Sequence, residues 1–190
     1  MPVVFLRIPD ERLGVVIGGG GETKRAIESR TGTTIEIEEE EEAIRLVAPD
    51  TGDPIGLMKA RDVVQAIGRG FSPERAFRLL KDDTYLGVID IKQATGKRTK
   101  DAIWRIRSRV IGAGGRARQR LEELSGCAVS VQGATVALIG DERQLERGTR
   151  AVQLLLRGSE HSTVFRMLVH ERREAALADV MGPSEPPEEL

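Results

Sequence analysis

Val16-Ile17-Gly18-Gly19-Gly20-Gly21-Glu22-Thr23-Lys24 and Val110-Ile111-Gly112-Ala113-Gly114-Gly115-Arg116-Ala117-Arg118 are two copies of one pattern, set 94 positions apart (16 to 110). The offset holds well beyond the glycines. Ile27 falls on Leu121, Glu28 on Glu122, Thr31-Gly32 on Ser125-Gly126, and Ile35 and Ile37 on Val129 and Val131. Past the next turn the register slips by two, Leu46 matching Leu138, because the first copy carries extra glutamates. Self-similarity over this length means a repeated supersecondary unit rather than one long domain.

Each copy reads in the same order. Val3 to Ile8 and Tyr85 to Ile91 are short apolar, β-branched runs, the signature of strands. A helix leads into each glycine loop; in the second copy Ile103, Ile106 and Val110 give it an apolar stripe. Glu22–Thr31 and Arg116–Ser125 are the next helices, closed by Gly32 and Gly126. Hairpins follow: Thr34–Glu38 with Ala43–Val47, and Ala128–Gln132 with Thr135–Ile139 turning at Gly133-Ala134. A longer helix ends each copy, the second opened by a capping box of Asp141 and Gln144 and striped by Leu145, Val152, Leu155 and Leu156. Between the copies, Ser72 as N-cap and Pro73 at the first helical position start a further helix through Phe77, Leu79 and Leu80, expected to pack between the modules. A last helix is expected over 163–180.

The expected division is therefore a first domain at 1–81, a second at 82–181, and a disordered acidic tail at 182–190. Apolar residues make up 39% of the 190 and charged residues 31%, which suits a soluble globular chain. No apolar run is long enough to cross a membrane, and the first residues lack the layout of a signal peptide. Cys127 stands alone, so no intrachain disulfide can form, and one Cys with two His makes a zinc site implausible. These features point to a cytoplasmic protein without metal or cofactor. The absence of Asn and the preference for Arg over Lys suit a heat-adapted source.

The net charge of −1 conceals a segregated distribution. From Lys92 to Arg120 ten Lys or Arg face a single acid, Asp101, whereas Glu38 to Glu42 form an acidic run. A Gly-x-x-Gly between two helices lets backbone approach a sugar–phosphate chain, because no Cβ intervenes. The free N–H groups and positive end of the following helix then favour phosphate. Rival phosphate motifs fail. The run from Gly112 to Ala117 matches a dinucleotide fingerprint in letters, but Arg105-Ile106-Arg107-Ser108-Arg109 before it is no buried strand, and no acid follows Val129-Ser130-Val131. Gly96-Lys97-Arg98 breaks the P-loop pattern. Neither His161 nor His170 has a nucleophile to serve, and Cys127 reads as buried and inert, so no enzyme activity is expected.

An Ile-Gly-x-x-Gly loop between helices, then a small residue plus Gly, then a hairpin, resembles the KH module, which clamps about four nucleotides of single-stranded RNA. The resemblance implies an α+β fold of two tandem type I KH domains, each β-α-α-β-β-α with a three-stranded sheet packed on helices, and an extra C-terminal helix. The RNA-binding residues expected are Gly18, Gly19, Gly20, Gly21, Lys24 and Arg25 in the first copy. In the second they are Lys97, Arg98, Arg107, Arg109, Gly112, Ala113, Gly114, Gly115, Arg116 and Arg118. Both loops lack the Lys or Arg that KH loops often carry at the variable positions. The second copy is richer in neighbouring arginines, whereas the first offers Lys24, Arg25 and Arg12 opposed by Glu22, so the second is expected to bind more tightly. With aromatics at 3%, bases are expected to lie on an aliphatic floor, with Ile27, Ile35, Leu121 and Val129 as candidates.

Ala66-Ile67-Gly68-Arg69-Gly70-Phe71-Ser72-Pro73-Glu74, Arg109-Val110-Ile111-Gly112, Val136-Ala137-Leu138-Ile139-Gly140-Asp141 and His161-Ser162-Thr163-Val164-Phe165 are similar to archaeal members of the partner-of-Nob family. That resemblance implies a factor of small ribosomal subunit biogenesis that binds near the 3′ end of the ribosomal RNA. It also implies cooperation with the trimming endonuclease and contact with translation initiation factor two. No DNA-specific binding is implied. The competing expectation is a protein-interaction scaffold with little RNA affinity, suggested by the missing loop lysines and the acidic first module.

Overall fold

The computed structural model describes residues 2–38, 43–49 and 54–181. The first unit runs β1 (Val3–Arg7), α1 (Asp10–Ile17), α2 (Glu22–Thr31), β2 (Thr34–Glu38), β3 (Ala43–Val47) and α3 (Pro54–Gly68). A connecting helix α4 (Pro73–Ala76) tightens into a 3₁₀ turn at Phe77–Leu80. The second unit repeats the order with β4 (Tyr85–Asp90), α5 (Ile91–Thr95), α6 (Lys100–Ile111), α7 (Arg116–Ser125), β5 (Ala128–Gln132), β6 (Thr135–Gly140) and α8 (Glu142–Arg157), and α9 (His161–Met181) is added at the end. Each unit carries a three-stranded antiparallel sheet with its last strand in the centre, ordered β1-β3-β2 and β4-β6-β5. This is the expected α+β architecture of two β-α-α-β-β-α units. The glutamates at 39–42 and the tail at 182–190 lie outside the described residues.

The repeat extends to hydrogen bonds. Glu28 accepts from the Ile35 amide at 2.8 Å, and Glu122 accepts from the Val129 amide at 2.6 Å. Thr31 donates its hydroxyl to the Ile27 carbonyl at 2.8 Å, and Ser125 donates to Leu121 at 2.7 Å. Each carboxylate ties a helix to the strand after it, and each hydroxyl closes a helix whose last carbonyls need donors. The capping box at Asp141 forms in both directions, and the α8 stripe buries Val152, Leu155 and Leu156. Three local features depart from expectation. Asp90 accepts from the Lys92 and Gln93 amides and so opens the one-turn helix α5, where the strand was expected to continue to Ile91. Ser72 stands at the N-cap with Pro73 behind it, but makes no capping bond of its own to the backbone. The last helix begins at His161.

The two units share a core. Val136 and Leu138 point from β6 into the cluster with Val129, Val152 and Leu155. Their neighbours Ala137 and Ile139 point the other way, as strand geometry requires, and join Phe71, Ala76, Leu79 and Ile67 of the first unit and connector. The second sheet is thus covered on both faces. Polar contacts seal the seam: Ser130 donates to the Arg69 carbonyl at 2.9 Å, Arg75 pairs with Glu122, and Gln132 donates to Glu11. A Cβ at Gly70 would stand 2.7 Å from the Ser130 hydroxyl, so glycine is required for the close approach. Ile139→Ala, which empties a fully buried site on this seam, should cost about 2–5 kcal/mol in guanidinium unfolding. Phe5→Ala, on the open face of the first sheet, should cost less than about 0.5 kcal/mol. Equal losses would show that the seam contributes no more than the surface.

Candidate nucleic-acid interface

Both glycine loops adopt the same backbone. Gly18, Gly20 and Gly21 have φ of 76, 58 and 81°, and Gly112, Gly114 and Gly115 have 73, 59 and 77°. Only the second position of the four is free of a left-handed requirement, and it is the position where Gly19 gives way to Ala113. A side chain at the third position would cost about 1–2 kcal/mol of backbone strain, which explains why no lysine stands there. The first glycine is held for a second reason: a Cβ at Gly18 would fall 2.4 Å from the Thr23 hydroxyl, and one at Gly112 2.5 Å from the Ala117 methyl. Around Gly20, Gly21, Gly114 and Gly115 a Cβ would meet nothing within 4 Å, so the outer side of each loop is open. α2 and α7 begin at that open side and bring the positive end of the helix dipole to it, while the Gly21, Glu22, Gly115 and Arg116 N–H groups are taken by the loop's own carbonyls.

The flanking charge divides by helix face. On α6, spacing of three and four places Trp104, Arg107 and Ile111 along one flank and Arg105 and Arg109 along the opposite one. On α7, Arg118 lies one turn before Glu122, the residue that reaches β5. Arg118 therefore stands on the β5 side of α7, and Arg107 stands on the preceding helix, five residues before Gly112 and about 7.5 Å from it along the axis. Both are half-buried, and the Nε of each is buried without a hydrogen-bond partner among the described residues. A buried guanidinium N–H without an acceptor is costly, and a phosphate oxygen would satisfy it. Arg116 is exposed and folds its Nε back to the Ala113 carbonyl at 3.2 Å.

The remaining expected residues are placed less uniformly. Arg109 donates to the Gly158 and Ser159 carbonyls at 2.7 and 2.6 Å, tying α6 to the end of α8, with its Nε left unpaired. Lys97 and Arg98 are exposed between α5 and α6, away from the loop in sequence but joined to the Arg109 flank through a shared cavity that Lys97 lines. In the first unit Lys24 stands 3.9 Å from Glu28, and Arg25 is exposed. Arg12 is used for structure, donating to the Ile67 and Phe71 carbonyls at 2.8 and 2.6 Å. Ile27, Ile35, Leu121 and Val129 are all fully buried, so they form the core beneath the groove and not its surface. In the first unit the start of α1 and the facing ends of β2 and β3 enclose an apolar cavity of about 260 Å³ lined by Ile8, Leu13, Ile37 and Ile44, with Asp10 and Glu38 also in its lining. By the 94-residue offset (10 to 104, 13 to 107), Asp10 and Leu13 replace Trp104 and Arg107.

Sequence reasoning missed Trp104, which is 66% exposed on the Arg107 flank, and the Arg105 and Arg157 side chains. The signal for the first two was present: an aromatic one turn from an arginine, and helical spacing that separates Arg105 from Arg107; Arg157 comes to the cavity from the end of α8, which no local spacing could show. Cys127 is buried, donates to the Gln144 carbonyl at 3.0 Å, and has its thiol pushed up to about 11 by burial. His161 contacts the Arg109 carbonyl at 2.8 Å, and His170 lies 3.2 Å from Glu174. Among the described residues no group of three or more His, Cys, Asp or Glu is placed to hold a metal, and no helix is long and apolar enough to cross a membrane. With the thiol held protonated, Cys127 should resist a thiol reagent at pH 8 until the protein is unfolded. A raised thiol pKa stabilises the fold below the unfolded value near 9 and loses that contribution as pH climbs towards 11, so unfolding midpoints should fall across that window.

Comparison with known proteins agrees with the fold of the two units. Residues 85–173 match the model of the second KH domain of the partner-of-Nob protein, described as a eukaryotic type KH domain (type I), and residues 3–66 match the KH domain. A KH domain-containing protein of Methanocaldococcus jannaschii is 39% identical over 172 residues, covering 90% of this chain and 75% of that one. The crystal structure of Dim2p from Pyrococcus horikoshii superposes with a TM-score of 0.83 at 44% identity, covering 90% of this chain and 99% of that chain. A protein of unknown function from Aeropyrum pernix gives 0.89 at 40% identity, covering 95% of each. A further Pyrococcus horikoshii structure, a complex of a/eIF2alpha, aDim2p and rRNA, contains a chain with a TM-score of 0.83 at 45% identity, covering 92% of this chain and 95% of that one. Two units with one hydrogen-bond plan, paired glycine loops and these relatives make the chain an archaeal KH-domain protein of the partner-of-Nob (Dim2p) family.

Proposed function

We propose that this protein is a non-enzymatic RNA-binding factor of small ribosomal subunit assembly, in which the second KH unit grips single-stranded ribosomal RNA near its 3′ end. The observation that carries the reading is the pair of half-buried arginines, Arg107 and Arg118, whose unpaired Nε groups flank an open glycine loop. A phosphate there would accept from both guanidinium groups and from the α7 N-terminus. The relative solved together with rRNA supports the choice of RNA class. The first unit keeps the loop backbone but offers an apolar cavity edged by Asp10 and Glu38, which repels phosphate and suits a protein surface. In this reading it docks translation initiation factor two, whose alpha subunit accompanies the relative in its complex. The RNA grip presents the 3′ segment to the endonuclease that trims it, in the cytoplasm. The second reading, a protein scaffold with little RNA affinity, rests on that same acidic cavity.

Fluorescence anisotropy with a short single-stranded RNA over a salt series decides between them. Ala113→Asp/Gly114→Asp, which puts negative charge where phosphate would sit, should abolish binding, whereas Gly19→Asp/Gly20→Asp should only weaken it. Arg107→Ala should reduce affinity about tenfold, some 1.4 kcal/mol, and flatten the salt slope by about 0.7. Circular dichroism first establishes that each variant folds. Wild type without RNA affinity at low salt would leave the scaffold reading in its place.

A further inference from the structure

Behind α6, on the flank away from Arg107, lies a cavity of about 700 Å³ lined by Lys97, Arg105, Arg109 and Arg157, with Ile106 and Leu156 among its apolar walls. Its lining includes no acid. Like charges brought into one concave site repel, and field lines concentrate there, so an anion is the complementary occupant. The side chains of Lys97, Arg105 and Arg157 have no hydrogen-bond or ion-pair partner among the described residues, and the Arg109 Nε is buried and unpaired. Arg109 also donates its Nη2 to the Gly158 and Ser159 carbonyls just past the end of α8, which holds its guanidinium at the cavity.

The exposed crest of α6 separates this cavity from the glycine loop, and it is not neutral ground. Trp104, Arg105 and Ser108 are all exposed along it, and Trp104 presents 66% of its surface to solvent. Nucleobases stack on such exposed aromatic faces whatever their identity. Trp104 stands eight residues before Gly112, about 12 Å along the helix axis, so a strand leaving the loop region reaches it without a long detour. We propose that RNA held at the second glycine loop continues over α6, stacks a base on Trp104, and seats a phosphate in the cavity formed by Lys97, Arg105, Arg109 and Arg157. The proposal rests on the RNA-binding reading of the second unit and enlarges its footprint beyond the roughly four nucleotides of a KH groove.

The test compares a short RNA that only fills the groove with one three times as long, on the full chain. It uses the exposed pair Arg105→Ala/Arg157→Ala and, separately, Trp104→Ala, each checked for folding by circular dichroism. Trp104 is the single tryptophan, so its fluorescence reports directly on the crest. The expected result is tighter binding of the long RNA by wild type, with quenching of Trp104. The arginine pair should bind the long RNA about tenfold more weakly, with a salt slope flatter by about 0.7 for each phosphate no longer neutralised, and the short RNA within about twofold of wild type. Trp104→Ala should likewise weaken the long RNA without flattening the slope. Long RNA binding no tighter than short, or an equal loss of both in the arginine pair, would overturn the proposal while leaving the groove intact. Calorimetry with inorganic pyrophosphate covers the other source of phosphate: heat that disappears in the arginine pair while long-RNA affinity is unchanged would make this a free-anion site and overturn the continuation. Wild type that binds neither RNA removes the groove reading and this one with it.

Discussion

The second sheet has no free face, and the placement of everything else follows from that. Ala137 and Ile139 on β6, with Ala128 on β5, pack against Phe71, Ala76 and Leu79 of the connector and Ile67 of α3. Fully burying side chains such as Ile139, Phe71, Leu79 and Ile67 contributes about 1.5–3 kcal/mol each, an upper value because unfolded chains already bury some surface, and the alanines contribute less. The Ser130, Glu122 and Gln132 contacts then fix the register of the seam. Because that cluster joins residues of both units, opening the two units relative to one another would expose it to water.

Within that frame the two copies share a backbone and differ in side chains. The loops match to a few degrees in φ at corresponding glycines, and Glu28 and Glu122 perform the same strand-tethering task. Divergence is confined to what faces outward. Asp10, Leu13 and the Glu28-paired Lys24 occupy the positions of Trp104, Arg107 and Arg118. One copy thereby acquires an apolar recess with an acidic edge, the other a pair of guanidinium groups short of acceptors. Duplication preserved the geometry that makes a cradle and changed the charge that chooses its occupant.

Most of the fold was legible because the repeat supplied each element twice. The helices after the loops, the closing glycines and the Asp141 capping box all depend on local chemistry, and they lie where the residues predict. Of the seam between the units, the connecting helix through Phe77, Leu79 and Leu80 was legible and the sheet face it covers was not. Thr34, Glu36, Arg45 and Val47 on the outer face of the first sheet correspond to Ala128, Ser130, Ala137 and Ile139 on the second, so the charges of Glu36 and Arg45 give way to small residues. What local reasoning could not supply was burial. Ile27, Ile35, Leu121 and Val129 fit an aliphatic floor by type, but helices and sheet close over them completely. Helix α5 escaped because a one-turn element leaves no periodicity, only the Asp90 cap.

The third loop position without lysine makes sense once the backbone is considered with the helices. At the third position a left-handed φ disfavours any side chain, so a basic residue there would strain the turn that aims the amides. Moving the charge onto Arg107 and Arg118 avoids that conflict. Their stems are held by packing on α6 and α7, so less side-chain freedom is lost when a ligand binds than for a lysine on a loop. In the RNA-binding reading these guanidinium groups and the positive end of the α7 dipole favour the same kind of ligand, an anion. The arrangement trades the reach of a mobile loop for a fixed cradle, which suits a protein whose two halves are themselves locked together.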